Sequence, residues 1–504
     1  MRTPRAAGKR HGAGGVAVFI APSKTCAVDH DGAPVQRMRS NVSLPALTVL
    51  GALEASGAET QFLDLSAEGI SEQRPLNGRA MVYGVPTSQA VERITVLKPG
   101  FVLVTSMFTF EQMMVDELVH AVKTALPDVT VIIGGVHASA KPEWHFEQAD
   151  PDFVVLGEGE ETVAELLREL TRPDPRPETV LGIAFRTNAG VIERTPARAP
   201  LAQLDGQWAT RTVLVKPDGT PRYTDRLCRK HPVYVAEEIG EDVPTGALYW
   251  ARGCRMGCDY CPTIEREGKG IRHMGAQNAF ELFESLRHTF DVQVFANQAE
   301  TFGLHPQDRR FLEMVCDYRR TSGDDGFVIN NPNAFFVHQF FPPAKDYRFD
   351  DEFLDLLAGA GLNTVTIAVE TLSPRFNRKV NWNRVCPEQV VELCQTIRQR
   401  GLRSDIYMMY GYPGETEEEF NADLKFGEAL VEHADLVSWN GLTLLPGTRY
   451  YREYVESSLG REQEYREIMR SGYAWHFPLE TFNLSQVPTE RFREALAPFG
   501  RSWL

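Results

Sequence analysis

The chain has 504 residues, too many for one ordinary hydrophobic core, so two or three domains are expected. With 43% hydrophobic and 24% charged residues it reads as a globular chain, and no apolar run approaches the roughly 20 residues that cross a bilayer. Its formal net charge of −15 argues against a nucleic-acid backbone as main partner, since phosphate binding needs clustered Lys and Arg.

The N-terminus is basic, but no apolar signal core follows it, so residues 1–14 read as a disordered tail and the protein as cytoplasmic. Residues 15–171 alternate strands and helices. Strands are predicted at 16–21, 59–65, 101–105, 129–133 and 153–156. Helices are predicted at 44–56, 88–97, 113–125 and 160–170, the first closed by Gly57. Residues 22–41 and the stretch before 88 read as polar loops. Such alternation predicts a doubly wound (Rossmann-like) parallel sheet covered on both faces, with ligands beyond the carboxyl ends of its strands.

Residues 172–245 read as a linker: a Pro-rich run at 172–177, then a small hairpin at 180–186 and 191–194. Alternation resumes over 246–450. Strands are predicted at 247–250, 292–296, 327–329, 364–369, 404–409 and 436–442. Helices at 279–289, 350–359 and 387–400 fall between them. Six βα units predict a partial (β/α)6 barrel with its site at the C-terminal rim. Residues 451–504 read as a short helical C-terminal segment.

Eight cysteines are too few for a disulfide scaffold, and three of them lie within eight residues, in Cys254-Arg-Met-Gly-Cys258-Asp-Tyr-Cys261. Thiolates at C-x3-C-x2-C, in a loop with Gly253 and Gly257, wrap one side of an iron–sulfur cubane and leave one iron open to a small molecule. A structural zinc site is the alternative. It needs a fourth ligand, and His273 stands 12 residues on without a paired partner. The remaining cysteines are scattered; Cys386 and Cys394 read as core thiols.

With an aromatic, Tyr260, before the last cysteine, this loop closely resembles that of the radical SAM superfamily over roughly residues 245–450. The resemblance implies a 4Fe–4S cluster on Cys254, Cys258 and Cys261 whose open iron chelates S-adenosylmethionine (SAM), and cleavage of SAM to an adenosyl radical. Asn297-Gln-Ala-Glu300 loosely occupies the place of a segment that holds the methionine amino group, and Glu370 ends a strand where a ribose or carboxylate contact is common. Gly411-Tyr-Pro-Gly414-Glu415-Thr416 resembles the family's fifth-strand turn, with Thr416 or Glu415 near a helix N-cap. Tyr260, Glu300, Glu370, Gly411 and Gly414 are therefore expected around SAM.

In the first domain, Thr105-Ser106-Met107, Gly134-Gly135-Val136-His137 and Leu156-Gly157-Glu158-Gly159 follow three strands. Glycines there let a flat ligand lie against the backbone, and hydroxyls bond its amides or phosphate. With residues 44–57 and 64–69 this run resembles the cobalamin-binding domain fused to one radical SAM class, and 181–186 resembles its connector. The resemblance implies cobalamin against Thr105, Ser106, Met107, Gly134, Gly135, Val136, Leu156, Gly157, Glu158 and Gly159. Asp29-His-Asp-Gly32 does not fit the D-x-H-x-x-G spacing of cobalt-ligating histidines, so no such ligand is implied; Arg74 is one candidate for the lower face. His137 reads as a satisfied strand-end histidine.

By resemblance the protein is a cobalamin-dependent radical SAM methyltransferase acting on an unactivated carbon, or phosphorus, of a small-molecule intermediate, of the kind met in natural-product biosynthesis. A low-potential electron donor such as flavodoxin is implied as partner. Ring contraction, cyclisation or another rearrangement without methyl transfer is the nearest alternative, and a non-catalytic cobalamin or metal sensor the next. The aromatics at 335–341 and 473–477 are candidates for a pocket, though such density more often marks core.

Overall fold

The computed structural model describes residues 15–28, 44–77, 80–205, 245–380, 385–457, 459–470 and 482–499. Expectations for 1–14, 29–32, 206–244 and 473–477 lie outside them. The described chain forms two compact units. One takes the residues up to 205 with 265–267 and 451–470; the other takes 245–264, 268–450 and 482–499.

The first unit is built on a seven-stranded sheet in the order Ile192–Arg194, Ile183–Arg186, Phe153–Val155, Thr130–Gly134, Phe101–Thr105, Ala17–Ala21, Thr60–Asp64. The last five of these run parallel. Val18, Ile20, Val102, Val104, Val131, Ile133 and Val154 share one face, and all are at most 2% exposed. They pack on Ala90 and Ile94 of helix Thr87–Leu97 and on Val115, Leu118, Val119 and Val122 of helix Gln112–Ala125. Each such side chain contributes roughly 1.5–3 kcal/mol on burial. The alternate residues Phe19, Leu103, Ile132 and Phe153 are equally buried, so both faces are covered and the strands read as continuous apolar runs.

Three features differ from the sequence expectation. The polar loops hide a three-stranded antiparallel sheet, Lys24–Ala27 with Ala80–Tyr83 and Gln73–Asn77. Its strands are four or five residues long and one holds Pro75, too little pattern for a period-2 signal. The hairpin expected in the linker is present, but its first strand pairs antiparallel with Phe153–Val155 and extends the main sheet. Residues 451–470, read with the C-terminal segment, belong to the first unit. There Lys141 Nζ meets Glu456 and Glu462, each at 2.7 Å, and Arg466 bonds Glu147 at 2.7 Å.

The second unit is a partial barrel of six parallel strands: Thr245–Leu248, Val294–Asn297, Val328–Asn330, Leu362–Glu370, Arg403–Tyr410 and Leu436–Gly441. A short strand, Phe335–Phe336, also pairs with Leu362–Glu370. Val365, Ile367 and Val369 alternate with Thr364, Thr366, Ala368 and Glu370. Helices cover one face of the sheet: Cys394 of helix Pro387–Gln399 bonds Ser404, and Gly427 of helix Glu417–Leu430 leaves room for Trp439. The opposite, inner face therefore carries Asp405 and Ser438, joined by a 2.7 Å hydrogen bond. The aromatics at 335–341 are largely core: Phe335, Phe340 and Phe341 are at most 2% exposed, and Phe335 packs on Phe302 and Phe353. Cys394 is a core thiol as expected, whereas Cys386 is half-exposed and bonds Glu388.

Candidate functional site

The first barrel strand leads into the cysteine loop. Gly253 (φ 92°) and Gly257 (φ 73°) take left-handed conformations that a side chain resists. A Cβ on Gly253 would also run into the Gly270 carbonyl, so the glycine is what lets segment 268–270 lie against the loop. A turn, Cys261 N–H to Cys258 O at 3.1 Å, joins the last two cysteines, and Met256 N–H donates to Cys254 Sγ at 3.4 Å. Burial pushes the Cys254 thiol up to about 11, with Cys261 and Glu300 adding to the rise. Cys258 is pushed well above its usual value by burial first, then by Cys261, Cys254 and Glu370.

Cys254, Cys261 and Glu370 thus lie near enough to Cys258 to make its thiol harder to ionise. Thiols so hard to ionise become ligands when a cation compensates the thiolate charge. Among the described residues no three His, Cys, Asp or Glu side chains converge as ligands of a single ion. The donor set fits the cluster.

Around this loop the expected SAM residues divide. Glu370 ends its strand at φ 68°, after a bulge following Ala368. Burial pushes its carboxyl up to about 8, against a hydrogen bond from the Tyr260 hydroxyl. Tyr260 is itself pushed well above its usual value by burial, then by Glu370 and Cys258. Glu300 reaches the same place from the second strand's end, where Thr301 Oγ1 bonds Gly253 O at 3.4 Å. Asn297 holds that turn, accepting from Ala299 N–H at 3.1 Å and donating to Asn331 at 2.9 Å.

Gly411 and Gly414 shape the fifth-strand turn rather than offer free backbone donors. Gly411 N–H is held by Glu415 Oε2 at 2.7 Å, and Gly414 N–H by Leu484 O at 2.8 Å. Thr416 caps the following helix in a reciprocal box with Glu419.

Two residues of this turn, Tyr412 and Glu415, are buried in ways their place in the motif does not announce, and the cap falls to Thr416 rather than Glu415. Tyr412 is 0% exposed, stacks on Phe376 at 4.4 Å, and its hydroxyl has no protein partner. Glu415 is 1% exposed, burial pushes it up to about 8, and its Oε1 is likewise unpartnered. Tertiary packing places Tyr412 near Glu370: burial raises its hydroxyl first, and Glu370 and then Glu415 add to the rise.

The strand ends of the first unit are organised differently. Ser106 N–H donates to Gly134 O at 2.7 Å, and Ser106 O accepts from His137 N–H at 3.1 Å. Gly135 (φ 119°) must be glycine, since a Cβ there would sit 2.5 Å from Ser106 O. The Ser106 hydroxyl is not presented to a ligand: the residue is 0% exposed and its Oγ lies 3.0 Å from His145 Nε2. His145 Nδ1 meets Asp116 at 2.6 Å, Gln112 donates to Asp116 at 2.9 Å, and His137 Nε2 reaches Gln112 Oε1 at 3.3 Å. His137 is thus only half satisfied, for its Nδ1 has no protein partner. Burial holds its pKa well below the usual value, so it stays neutral.

Glu158 accepts from Leu201 N–H at 2.7 Å, and Leu156 N–H donates to Gly182 O at 2.8 Å. Thr105 is buried at the end of its strand, and Gly159 opens the last helix against Val49. Of the expected residues, Met107, Gly134, Gly135, Val136, Leu156, Glu158 and Gly159 are half-buried and Gly157 is exposed. At Gly157 (φ 78°) a Cβ would meet nothing within 4 Å. A flat ligand lying on backbone fits this edge. Arg74 donates to Gly84 O at 3.1 Å.

Residues 248–427 match the model of the radical SAM superfamily, and residues 41–167 match that of the B12 binding domain. The chain belongs to the radical SAM superfamily, in the class that carries a B12-binding domain, and the two domains imply a 4Fe–4S cluster, SAM and cobalamin. It is similar to the cytidylyl-2-hydroxyethylphosphonate methyltransferase of Streptomyces wedmorensis, 24% identical over 75% of this chain and 72% of that one. An uncharacterized methyltransferase of Pyrococcus horikoshii is 23% identical over 66% of this chain and 64% of that one. Among solved structures, the radical SAM methyltransferase TsrM of Kitasatospora setae, with cobalamin and a [4Fe–4S] cluster bound, shares the fold. Its TM-score is 0.66 at 21% identity, over 88% of this chain and 78% of that one.

Proposed function

We propose that this protein is a cobalamin-dependent radical SAM methyltransferase that methylates an unactivated carbon, or phosphorus, of a small-molecule biosynthetic intermediate. The observation that carries the reading is that Cys254, Cys258, Cys261, Tyr260 and Glu370 meet at one end of the barrel, in a chain that also has a B12-binding domain. The three cysteines hold the cluster; Tyr260, Glu300 and Glu370 line SAM; Met107, Gly135, Val136 and Gly157 lie against cobalamin. When bound, these cofactors supply one-electron cleavage of SAM and a transferable methyl group.

The chain's own residues orient and shield. With its carboxyl raised to about 8, Glu370 holds a proton at neutral pH and adds no uncompensated charge beside the thiols. Thr301 ties the second-strand turn to Gly253 and fixes Glu300 against the loop. A small polar substrate is supported by the barrel's inner face, where the Asn330 amide and the Thr364 and Thr366 hydroxyls are buried without protein partners. Such atoms demand water or ligand.

None of the seven cysteines among the described residues forms a disulfide, which suits a reducing, cytoplasmic setting with a low-potential electron donor. No described helix is long and apolar enough to cross a membrane.

The test is anaerobic reconstitution followed by iron and cobalamin assay, then incubation with reductant and methyl-labelled SAM. Four irons and one cobalamin per chain, with 5′-deoxyadenosine released, support the reading. Iron without cobalamin overturns the methyl-transfer part, and a product with no added methylene points to rearrangement.

A further inference from the structure

We propose that Lys141 is a positioning residue for cobalamin: it pins segment 451–470 as a strap that holds two ligand-bearing loops of the first unit at a fixed spacing. This rests on the reading that cobalamin lies against Met107, Gly135, Val136 and Gly157. The strap stands outside residues 41–167, which match the B12 binding domain, so that match does not account for it.

Lys141 closes the short helix Val136–Ala140, where its N–H donates to His137 O at 2.9 Å. Its side chain is 10% exposed, and its Nζ meets Glu456 and Glu462, each at 2.7 Å. The same ammonium lies 5.5 Å from the Trp144 ring and 5.0 Å from that of Tyr451. The Tyr451 hydroxyl in turn donates to Glu462 at 3.3 Å. A cation so enclosed needs its carboxylates, and they need it.

Around this pin the strap touches both loops. Phe101–Thr105 and Thr130–Gly134 are neighbouring parallel strands; the loop after the first carries Met107, and the loop after the second carries Gly135 and Val136. Tyr465, in the strap helix Leu459–Arg470, is hydrogen-bonded to Thr109, two residues beyond Met107. Arg466 lies 4.7 Å from the Trp144 ring and bonds Glu147 at 2.7 Å, and Arg470 bonds Gln148 at 3.0 Å. One helix thus ties the first loop to the second.

The strap serves this edge rather than the core. The buried cluster between the sheet and helices Thr87–Leu97 and Gln112–Ala125 draws only on residues 16–192. Loops at the end of a sheet open at far lower cost than the sheet itself, and a rigid flat ligand binds tightest to an edge that is already set. Loss of the pin should therefore loosen the two loops and leave the sheet intact.

The experiment loads wild type, Lys141→Met, Glu456→Gln/Glu462→Gln and Lys141→Arg with hydroxocobalamin and follows its release on dilution. Hydrogen–deuterium exchange is measured on the same proteins before loading. Lys141→Met should release cobalamin about tenfold faster than wild type, the paired Gln variant by a smaller factor, and Lys141→Arg, which keeps the charge, near the wild-type rate. In Lys141→Met, amide exchange should quicken over 105–111 and 136–148 and stay unchanged in strands Ala17–Ala21 and Phe153–Val155. Unchanged exchange in the two loops would overturn the proposal, as would wild-type retention of cobalamin by Lys141→Met or a quickening that the core strands share. If the wild type takes up no cobalamin, the cobalamin reading fails instead. Exchange then still decides the strap, quickening in both loops supporting it and its absence overturning it.

Discussion

The barrel's strand ends and the first unit's strand ends both gather polar residues, yet they handle them in opposite ways. At the barrel the groups are buried and left poised. Cys254, Cys258, Glu370 and Glu415 are all raised by burial, and Tyr412 and Glu415 keep atoms without protein partners. In the first unit Ser106, His145, Asp116, Gln112 and His137 bond one another, and the surface left open is backbone and small side chains. A site that binds ions and reactive groups needs unsatisfied donors at a low-dielectric spot. A site that binds a large flat ligand needs a rigid shape, and polar groups serve it best from beneath.

Perturbing the two regions should separate these roles. The largest effect is expected for replacing Cys254, Cys258 and Cys261 together with Ala: iron and visible absorbance should vanish while cobalamin content holds. Wild-type iron in that variant would remove the cluster assignment.

Gly135→Val comes next. Its φ of 119° and the Ser106 carbonyl at 2.5 Å from a Cβ predict a loss of about 2–5 kcal/mol in denaturant unfolding, with cobalamin uptake lost and the cysteine loop's iron retained.

Glu415 gives a pH test of the barrel. Its folded pKa of about 8 lies above the ordinary 4.5, so the folded state holds the proton more tightly. Its contribution to stability should therefore be complete below about pH 4.5 and be lost as pH rises through about 8, by on the order of a few kcal/mol, alongside that of Glu370. Glu415→Gln keeps an acceptor for Gly411 N–H and should flatten that slope. An unchanged slope would show that the carboxyl is not neutral in the fold.

Asp116→Asn, which leaves His145 facing an amide, should lose about 1–3 kcal/mol and loosen cobalamin without touching iron. A shift in the bound cobalamin's absorption spectrum is the readout that simple destabilisation would not give. The smallest effect is expected at Gly157→Ala, where only the left-handed φ resists and space is open. About 1 kcal/mol is predicted, with cobalamin affinity changed more than stability.

Much of this is legible without coordinates because it is local. Apolar periodicity marks the parallel strands and their helices, and the spacing of Cys254, Cys258 and Cys261 marks the cluster loop. The short antiparallel sheet through Lys24–Ala27 escapes, because strands of four or five residues leave no period to read. The hairpin at 183–194 is visible as a hairpin, but not as the edge of the main sheet, since pairing partners are never written in a strand's own residues.

The same division holds at the sites. Chain order alone determined which residue types stand at which strand ends: three thiols and Tyr260, the acids Glu300 and Glu370, and the glycines at 134, 135 and 157. Only the tertiary structure decided what each is free to do. It turned the Ser106 hydroxyl inward to His145, tied Gly414 to Leu484, brought Tyr412 to Glu370, and added residues 451–470 to the first unit. The reason is physical. Burial, hydrogen-bond satisfaction and the resulting pKa shifts depend on neighbours distant in sequence, and no local pattern encodes them.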